Sequence, residues 1–367
     1  MRIVYLISRA KRTGPVNQAF YILKGLNSLP DVHATLITLS PELEGNTQLQ
    51  KFKSEDIEVV QLGQPLIKTW KCVGQLKDYI KKNHVEVVHS SGYRPNLVNM
   101  LLKKYVKTVS TQRCLPSEIV EKFPVFFQPP FKKLYLKIIK RMDVLVTCSK
   151  ALQKVFYSDY GIITEAVQNG VNTDFFVPSK QYEKEKLRKK LGLPSQKTIY
   201  VVLGRISKRK NVGLIIKAFL KFNHDNSQLL ILGGGPLKSE METLSGGDER
   251  ITFTGSVPNP LDYLQASDIL VSSSLAEGLP NTVLEAMACG LPSILSDIEP
   301  HKELILNNKY GVLFDVSSED SLKAAFDASL SFNLEEMRTY IRERTVEEHS
   351  IRALAKNYVD TYKKALL

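Results

Sequence analysis

Residues 198–232 read TIYVVLGRISKRKNVGLIIKAFLKFNHDNSQLLIL, which is the pattern of a strand, a charged loop, a helix and a second strand. The runs 198–203 and 228–232 are almost continuously apolar, as strands are when helices cover both faces of their sheet. Between them, residues 212–222 carry apolar side chains at helical spacing. The stretch therefore predicts one unit of a parallel α/β sheet.

The alternation of strands and helices extends from this unit toward both ends of the chain. Downstream, further strands are predicted at 251–253, 269–272, 293–295 and 311–314. Upstream, a first series of strands is predicted at 2–8, 33–39, 57–62, 85–89, 108–111 and 144–147. The charged segment 178–194 separates the two series and is predicted to form a solvated helix.

Two consecutive series of this kind predict the α/β class, with two Rossmann-like, doubly wound domains facing a cleft. We place an N-terminal domain at 1–175, a C-terminal domain at 176–345 and a final helix at 346–367 that packs back on the first domain. Ligands of such sheets bind beyond the carboxyl ends of the strands, so a site is expected in the loops that follow strands.

The charge of the chain is uneven. The 367 residues carry a net charge of +12, and residues 1–170, with 25 basic and 13 acidic side chains, account for all of it. A basic half suits nucleic acid, an acidic membrane surface or a phosphorylated substrate, although solubility explains scattered lysines equally well. We expect no nucleic-acid partner, because only residues 126–141 mix basic and aromatic side chains.

Cysteine usage and hydropathy indicate the compartment. Cys72, Cys114, Cys148 and Cys289 are far apart and lack metal-ligand spacing, which suits a reducing cytoplasm without disulfides or a zinc site. The apolar run at residues 1–8 is too short for a signal peptide, and no run of about 18 apolar residues predicts a spanning helix. The sequence therefore predicts a cytoplasmic protein.

The segment 275–292, LAEGLPNTVLEAMACGLP, carries two carboxylates, Glu277 and Glu285. A helix that opens near Thr282 presents backbone N–H groups and the positive end of its dipole to a phosphate. Taken alone, Glu285 fits a capping box with Thr282 better than a ligand role. Glu277 lies in the loop itself, where its carboxylate can accept hydrogen bonds from sugar or ribose hydroxyls.

The loop after the strand 198–203 supplies positive charge. Arg205 and Lys210 can hold a phosphate, and Gly204 permits close backbone approach. We interpret Lys208 and Arg209 as a solvated part of this loop. The loop at 8–16 and the glycines at 233–235 match neither a P-loop nor a dinucleotide fingerprint, which disfavours NAD and P-loop chemistry.

These motifs together resemble the group 1 family of retaining glycosyltransferases with the GT-B fold. Residues 277–292 are similar to the family signature, and Gly204-Arg205-Ile206 with Lys210 resembles its G-R-L…K segment. Residues 167–178, VQNGVNTDFFVP, are similar to I-P-N-G-V-D-x-x-x-F-x-P. The predicted strand end at His89 also fits the first domain of the family.

The resemblance implies a UDP- or GDP-sugar donor on the C-terminal domain and a saccharide acceptor on the N-terminal domain. Arg205 and Lys210 would hold the diphosphate, and Glu277 would contact the transferred sugar. His89 would act on the acceptor side, although a lone histidine at a strand end is as often structural. The implied donor-binding residues are Gly14, Gly204, Gly278, Thr282, Val283 and Glu285, the last of them on the ribose.

The sequence departs from the family pattern at two positions, and the resemblance implies no metal ion. Pro15 stands where many members have a second glycine, and Ser91 stands where many have a second histidine. The family uses no metal ion, and we expect none here, because Arg205, Lys210 and a helix dipole can meet the charge of the leaving group. We expect no cofactor besides the donor substrate.

Residues 126–141, FFQPPFKKLYLKIIKR, predict a helix that is both basic and apolar. Such a helix docks on an anionic membrane, or it buries an apolar stripe and leaves its lysines in water. We expect the acceptor to be lipid-linked, at the inner face of the membrane, in surface polysaccharide synthesis. The alternative function is a nucleotide-sugar epimerase or hydrolase of the same fold, which needs a further acid/base residue in the cleft.

Overall fold

The computed structural model describes residues 1–121 and 124–367. These form two compact units, unit 1 at 1–170 with 351–367 and unit 2 at 171–350. The divisions expected from the sequence, after 175 and after 345, lie five residues away from these at each crossing. The two points at which the chain passes from one unit to the other are adjacent in space, because Val171 and Ser350 form a short parallel bridge within unit 2.

In unit 1 strands and helices alternate along the chain. Its elements are β1 (Arg2–Ile7), α1 (Gly14–Asn27), β2 (His33–Thr38), α2 (Leu49–Lys53), β3 (Val59–Gln61), α3 (Thr69–Asn83), β4 (Val87–Ser90), α4 (Tyr93–Leu102), β5 (Lys107–Gln112), α5 (Pro116–Val120), α6 (Gln128–Ile139), β6 (Val144–Thr147), α7 (Lys150–Tyr160) and β7 (Glu165–Ala166). Short 3-10 turns at Leu66–Lys68 and Val125–Phe127 precede α3 and α6.

Unit 2 repeats the alternation. Its elements are α8 (Gln181–Lys190), β8 (Thr198–Leu203), α9 (Val212–Phe222), β9 (Ser227–Leu232), α10 (Lys238–Leu244), β10 (Ile251–Gly255), α11 (Leu261–Ala266), β11 (Ile269–Ser272), α12 (Asn281–Ala288), β12 (Ser293–Ser296), α13 (Glu299–Lys302), β13 (Gly311–Phe314), α14 (Glu319–Ser329) and α15 (Leu334–His349). The last helix, α16 (Ile351–Leu366), belongs to unit 1.

Each unit is built on one sheet. The strand order is β3-β2-β1-β4-β5-β6-β7 in unit 1 and β10-β9-β8-β11-β12-β13 in unit 2. Every pair that the described strands form is parallel. The predicted α/β class with two Rossmann-like units is therefore confirmed.

The strand order reverses once in each sheet. In unit 1 the chain moves outward from β1 to β3 and returns to β4 on the other side of β1, and in unit 2 β8 and β11 are related in the same way. Loops that follow the two strands at such a reversal diverge and leave a crevice where ligands bind. In unit 2 these are the loops 204–211 and 273–280.

The last helix packs on α1, which explains why the chain returns to unit 1. A Cβ at Gly25 of α1 would lie 2.8 Å from the Cβ of Ala355 and 2.7 Å from the backbone oxygen of Ile351. A larger residue would therefore push the two helices apart. Tyr358 and Tyr362, on the same helix, are fully buried in the core of unit 1.

The charged helix α8 is exposed along most of its length, as predicted, but two of its basic side chains are not. Its Lys184 and Arg188 are buried, and both form ion pairs with Asp268 at the start of β11. Arg188 also donates hydrogen bonds to the backbone oxygens of Ala266 and Ser195. Periodicity could not reveal this, because a lysine that pairs with a distant aspartate looks the same in sequence as a solvated one.

Candidate active site

Three loops at the carboxyl ends of β8, β9 and β10 are drawn tightly together. Gly204 donates a backbone hydrogen bond to Leu232, and Gly233 donates one to Gly255. A Cβ at Gly233 would lie only 1.8 Å from the backbone oxygen of Gly204, and its φ of +145° is one that other residues rarely adopt. Only glycine permits this approach.

A cavity of about 530 Å³ opens beside these glycines. Its lining includes Arg205, Gly234, Ser256, Val257 and Pro260. The wall is mostly backbone and small side chains, so a flat ring could lie against it with its edge toward peptide groups. The position is at the strand ends next to the reversal of the sheet, where the fold is expected to bind ligands.

Arg205 and Lys210 meet at one end of this region. Both line a narrow cavity together with Gly204, and a Cβ at Gly204 would lie 3.5 Å from the Cε of Lys210. The backbone of Lys210 is held by the Ser273 hydroxyl, which lies 3.0 Å from its carbonyl oxygen. Arg205 is exposed, so its guanidinium is accessible to an anion.

Glu277 is paired with two cations of the neighbouring loop. Its Oε1 lies 2.7 Å from Lys210 Nζ, and its Oε2 lies 2.7 Å from Arg209 Nη1. The side chain is only 9% exposed. Burial raises its pKa, but the nearby Lys210 and Arg209 outweigh that effect, and the pKa lies below its usual value. Glu277 is therefore an ionised carboxylate in the loop after β11.

Arg209 has a role that the sequence did not reveal. Besides its ion pair with Glu277, its Nη1 donates a 2.7 Å hydrogen bond to the backbone oxygen of Ala276. The Leu275 N–H in turn donates to the backbone oxygen of Arg209. Arg209 is exposed, as predicted, but it also ties the loop of Glu277 to the loop after β8.

The helix α12 begins four residues after Glu277. Pro280 is its N-cap, which places Thr282 inside the first turn, so the capping box expected from Thr282 and Glu285 is not the start of this helix. The first N–H groups of a helix, here including those of Thr282 and the buried Val283, have no acceptor within the helix. Glu285 lies half-buried on the next turn.

His301, just after β12, was also missed. It is buried, and its Nδ1 lies 2.9 Å from the backbone oxygen of Ser296. Burial lowers the pKa of His301 to about 4, although Glu277 acts in the opposite direction. The ring is therefore neutral and lies near the Glu277–Lys210 pair. A single histidine in a helix after a strand offers no distinctive sequence signal.

His89 occupies a different environment. It is fully buried in unit 1, with Nδ1 2.8 Å from the Tyr362 hydroxyl and Nε2 2.8 Å from Thr111 Oγ1. Burial, with a smaller contribution from Arg113, holds the pKa of His89 well below its ordinary value. A buried imidazole with both nitrogens engaged cannot contact a substrate, so we correct its assignment from catalytic to structural.

The predicted site residues lie in both units. Gly204, Arg205, Lys210 and Glu277 come together in unit 2, and Gly278 follows directly in the loop toward α12. Gly14 is the first residue of α1 in unit 1. Among residues 1–121 and 124–367, no three His, Cys, Asp or Glu side chains are grouped as a metal site requires. In the same residues every helix is too short or too polar to cross a bilayer.

Two family models match the chain, one in each half. Residues 14–175 match the model of Glycosyltransferase Family 4, and residues 183–347 match that of Glycosyl transferases group 1. The chain belongs to the group 1 glycosyltransferases. It is 25% identical to the Escherichia coli UDP-Gal:alpha-D-GlcNAc-diphosphoundecaprenol alpha-1,3-galactosyltransferase, over 70% of this chain and 69% of that one.

A further relative and a solved structure are similar to part or all of the chain. The teichuronic acid biosynthesis protein TuaC of Bacillus subtilis (strain 168) is 30% identical over 49% of this chain, and the chain spans only 44% of TuaC. The structure of Anabaena Alr3699/HepE, in complex with UDP and glucose, has a TM-score of 0.82 at 16% identity, covering 99% of each chain. Because the likeness covers 99% of this chain, both units share the fold of that structure.

Proposed function

We propose that the protein is a retaining glycosyltransferase that moves a sugar from a UDP- or GDP-sugar to a saccharide acceptor. The observation that carries the proposal is the meeting of Arg205, Lys210 and ionised Glu277 at the reversal of the unit 2 sheet. Two cations and one carboxylate suit the point at which the diphosphate of such a donor joins its sugar. The proposal that the configuration at the anomeric carbon is retained rests on the family resemblance.

The donor is proposed to lie across the strand ends of unit 2. Its base would enter the 530 Å³ cavity beside Gly234, and its diphosphate would lie against Arg205, Lys210 and the first N–H groups of α12. Glu285 would accept hydrogen bonds from the ribose hydroxyls. The Anabaena neighbour, solved with UDP and glucose, supports a uridine nucleotide as the first to test.

The chemical step breaks the bond between the anomeric carbon and the diphosphate oxygen. Negative charge grows on that oxygen, and Arg205 and Lys210 would stabilise it without a metal ion. Glu277, held ionised, would accept hydrogen bonds from the sugar hydroxyls and fix the ring. The acceptor hydroxyl forms the new bond on the same face, and its proton passes to the departing diphosphate.

The acceptor is proposed to be a lipid-linked saccharide of a surface polysaccharide, met at the inner face of the cell membrane. The Escherichia coli relative is named for an acceptor of this kind, a sugar on diphosphoundecaprenol. The basic excess of residues 1–170 suits such an anionic substrate.

A thermal-shift comparison of UDP, GDP and ADP tests the donor site. A nucleotide present at 100 times its Kd adds about 2.7 kcal/mol to the free energy of unfolding. We expect this stabilisation from UDP or GDP, and we expect Arg205→Ala to remove most of it. Lys208→Ala, in the same loop and exposed, is the matched control and should keep it. If no nucleotide stabilises the wild type, the donor site is wrong.

Product analysis then separates transfer from the alternative reactions. With the stabilising nucleotide as its sugar donor and a lipid extract as acceptor, labelled sugar should move into the lipid fraction. Free sugar formed at the same rate without acceptor would identify a hydrolase, and an altered nucleotide sugar would identify an epimerase.

A further inference from the structure

Two turns of unit 1 expose large apolar side chains. The turn at 65–70 contains Leu66, Ile67 and Trp70, and Ile67 is 86% exposed. The turn at 124–127 contains Val125, Phe126 and Phe127, and Phe126 is 84% exposed. All six side chains are at least half exposed. Single exposed apolar residues need no explanation, but two clusters of three do.

The helix α6, which follows the second turn, exposes one large apolar side chain, Leu134, and is not itself the main apolar surface. Its Tyr135, Ile138 and Ile139 are buried, while Lys133 and Lys137 are exposed. The helix therefore matches the alternative of a buried stripe with a solvated lysine face. The apolar exposure lies in the turn before it and in the turn at 65–70, which the sequence reading did not single out.

Both turns are fixed to the first turn of α4. Arg94, itself buried, donates hydrogen bonds to the backbone oxygens of Gln64 and Pro65 and to the Thr69 hydroxyl. These bonds hold the turn at 65–70 in place.

The neighbouring Tyr93 packs against α6, the helix that follows the second turn. It stacks on Tyr135 of α6 at 5.6 Å between ring centroids and contacts Phe131 at 6.4 Å. The helix that carries the turn at 124–127 is thereby fixed beside α4. Because β3, β4 and β5 are parallel, the segments that follow them emerge at the same end of the sheet.

The charge around the turns is of one sign. Residues 62–77 contain three lysines and no acidic residue, and residues 124–142 contain five basic residues and no acidic residue. Lys68, Lys71, Lys133, Lys137 and Lys140 are exposed. A second copy of the chain seated on this surface would bring lysines against lysines, which like-charge repulsion disfavours.

We propose that the turns at 65–70 and 124–127 insert into the interface of an anionic lipid bilayer, with the surrounding lysines on its headgroups. Aromatic and branched side chains on rigid turns can enter the interface while lysines remain at the charged surface. The proposal deepens the proposed function, on which it rests for the lipid-linked acceptor. Membrane binding itself needs neither donor nor acceptor and can be tested separately.

Trp70 makes the first test direct, because it is the one tryptophan of the chain. Its emission should shift to shorter wavelength when vesicles of phosphatidylcholine with phosphatidylglycerol are added, and brominated lipids should quench it. Vesicles of phosphatidylcholine alone should have much less effect. An unchanged emission with the anionic vesicles, in low salt, would overturn the proposal.

Flotation with the same vesicles tests the two parts of the surface. The pair Ile67→Ser and Phe126→Ser should abolish flotation, whereas Ile163→Ser with Leu306→Ser, which are exposed elsewhere, should not. Neutralising Lys133 and Lys137 with glutamine should weaken binding about 25-fold, or about fivefold for each lysine. Equal losses in the control pair would overturn the proposal.

Two further readouts distinguish the causes of failure. Stabilisation by UDP or GDP should be unchanged in every surface variant, so its loss would indicate misfolding or a failed donor site rather than a failed membrane surface. A dimer that the Ile67→Ser and Phe126→Ser pair dissociates, with no vesicle binding by the wild type, would identify the surface as a contact between copies and overturn the proposal.

Discussion

Glu277 and His89 lie in equivalent places, near the carboxyl ends of strands beside the reversal of their sheets, yet their surroundings differ. Both side chains are almost fully buried. Glu277 faces two cations and is kept ionised, whereas His89 faces two hydroxyls and is kept neutral. Position at a strand end therefore does not decide whether a buried group is charged. The charge of its partners does, because a buried charge is retained only where it is paired.

The largest effect is expected at Glu277. Glu277→Gln keeps the shape of the side chain and removes its charge, so sugar transfer should fall about 100- to 1,000-fold, as when a preorganised polar contact to the reacting group is lost. The measurement is kcat for transfer with saturating donor. Binding of the nucleotide without its sugar should change little, because Glu277 is proposed to contact the sugar.

The same variant can also contradict the contrast between Glu277 and His89. Turnover within a few-fold of the wild type, in a variant that binds nucleotide normally, would remove Glu277 from the reaction. The two buried residues would then both be structural.

Much of this site was predictable because topology follows from sequence pattern. Continuous apolar strands separated by helical segments predict parallel sheets, and the loops after β8 and β11, on the two sides of the reversal, then border one crevice. The meeting of Arg205, Lys210 and Glu277 follows from that alone. Their proposed roles came from a family resemblance, and the chain indeed belongs to that family.

The rest depended on contacts between distant residues. The carboxylate partner of Arg209 lies in a loop some 70 residues away, and His89 is enclosed by α16 from the other end of the chain. The apolar turn at 65–70 looks like an ordinary helix start in the sequence. None of these features has a periodic or local signature, so the three-dimensional structure is needed to find them.

An intermediate effect is expected at Arg209, which positions Glu277 without being proposed to touch the substrate. Arg209→Ala removes the ion pair with Glu277 and the hydrogen bond to Ala276, so kcat should fall roughly tenfold, as misplacement of a reacting group does. Arg209→Lys should recover part of the loss, since it restores the charge. Lys208→Ala is again the matched control.

The pH profile separates this role from a general loss of stability. Arg209 helps to hold the pKa of Glu277 below its usual value, so activity that needs ionised Glu277 is lost as pH falls through that pKa. Without Arg209 the pKa rises, and the acidic limb of the profile should move to higher pH. An unmoved acidic limb with a lower kcat would mean that Arg209 does not act through Glu277.

The smallest effect on turnover is expected at His89. His89→Gln disturbs two buried hydrogen bonds and should lower the free energy of unfolding by about 2 kcal/mol. Transfer per folded molecule and nucleotide binding should be unchanged. The measurements are chemical denaturation and kcat at a temperature where both proteins are fully folded.

The pH dependence of stability identifies the cause of that loss. Because burial holds the pKa of His89 far below its unfolded value of about 6.5, its neutral form stabilises the fold above that pH, and the stabilisation declines as pH falls below it. The variant lacks this decline, so the difference in unfolding free energy between wild type and variant should shrink from pH 7 to pH 5. A constant difference, together with a large loss of kcat, would restore His89 to the reaction and make it the counterpart of Glu277 that its position in the sequence suggested.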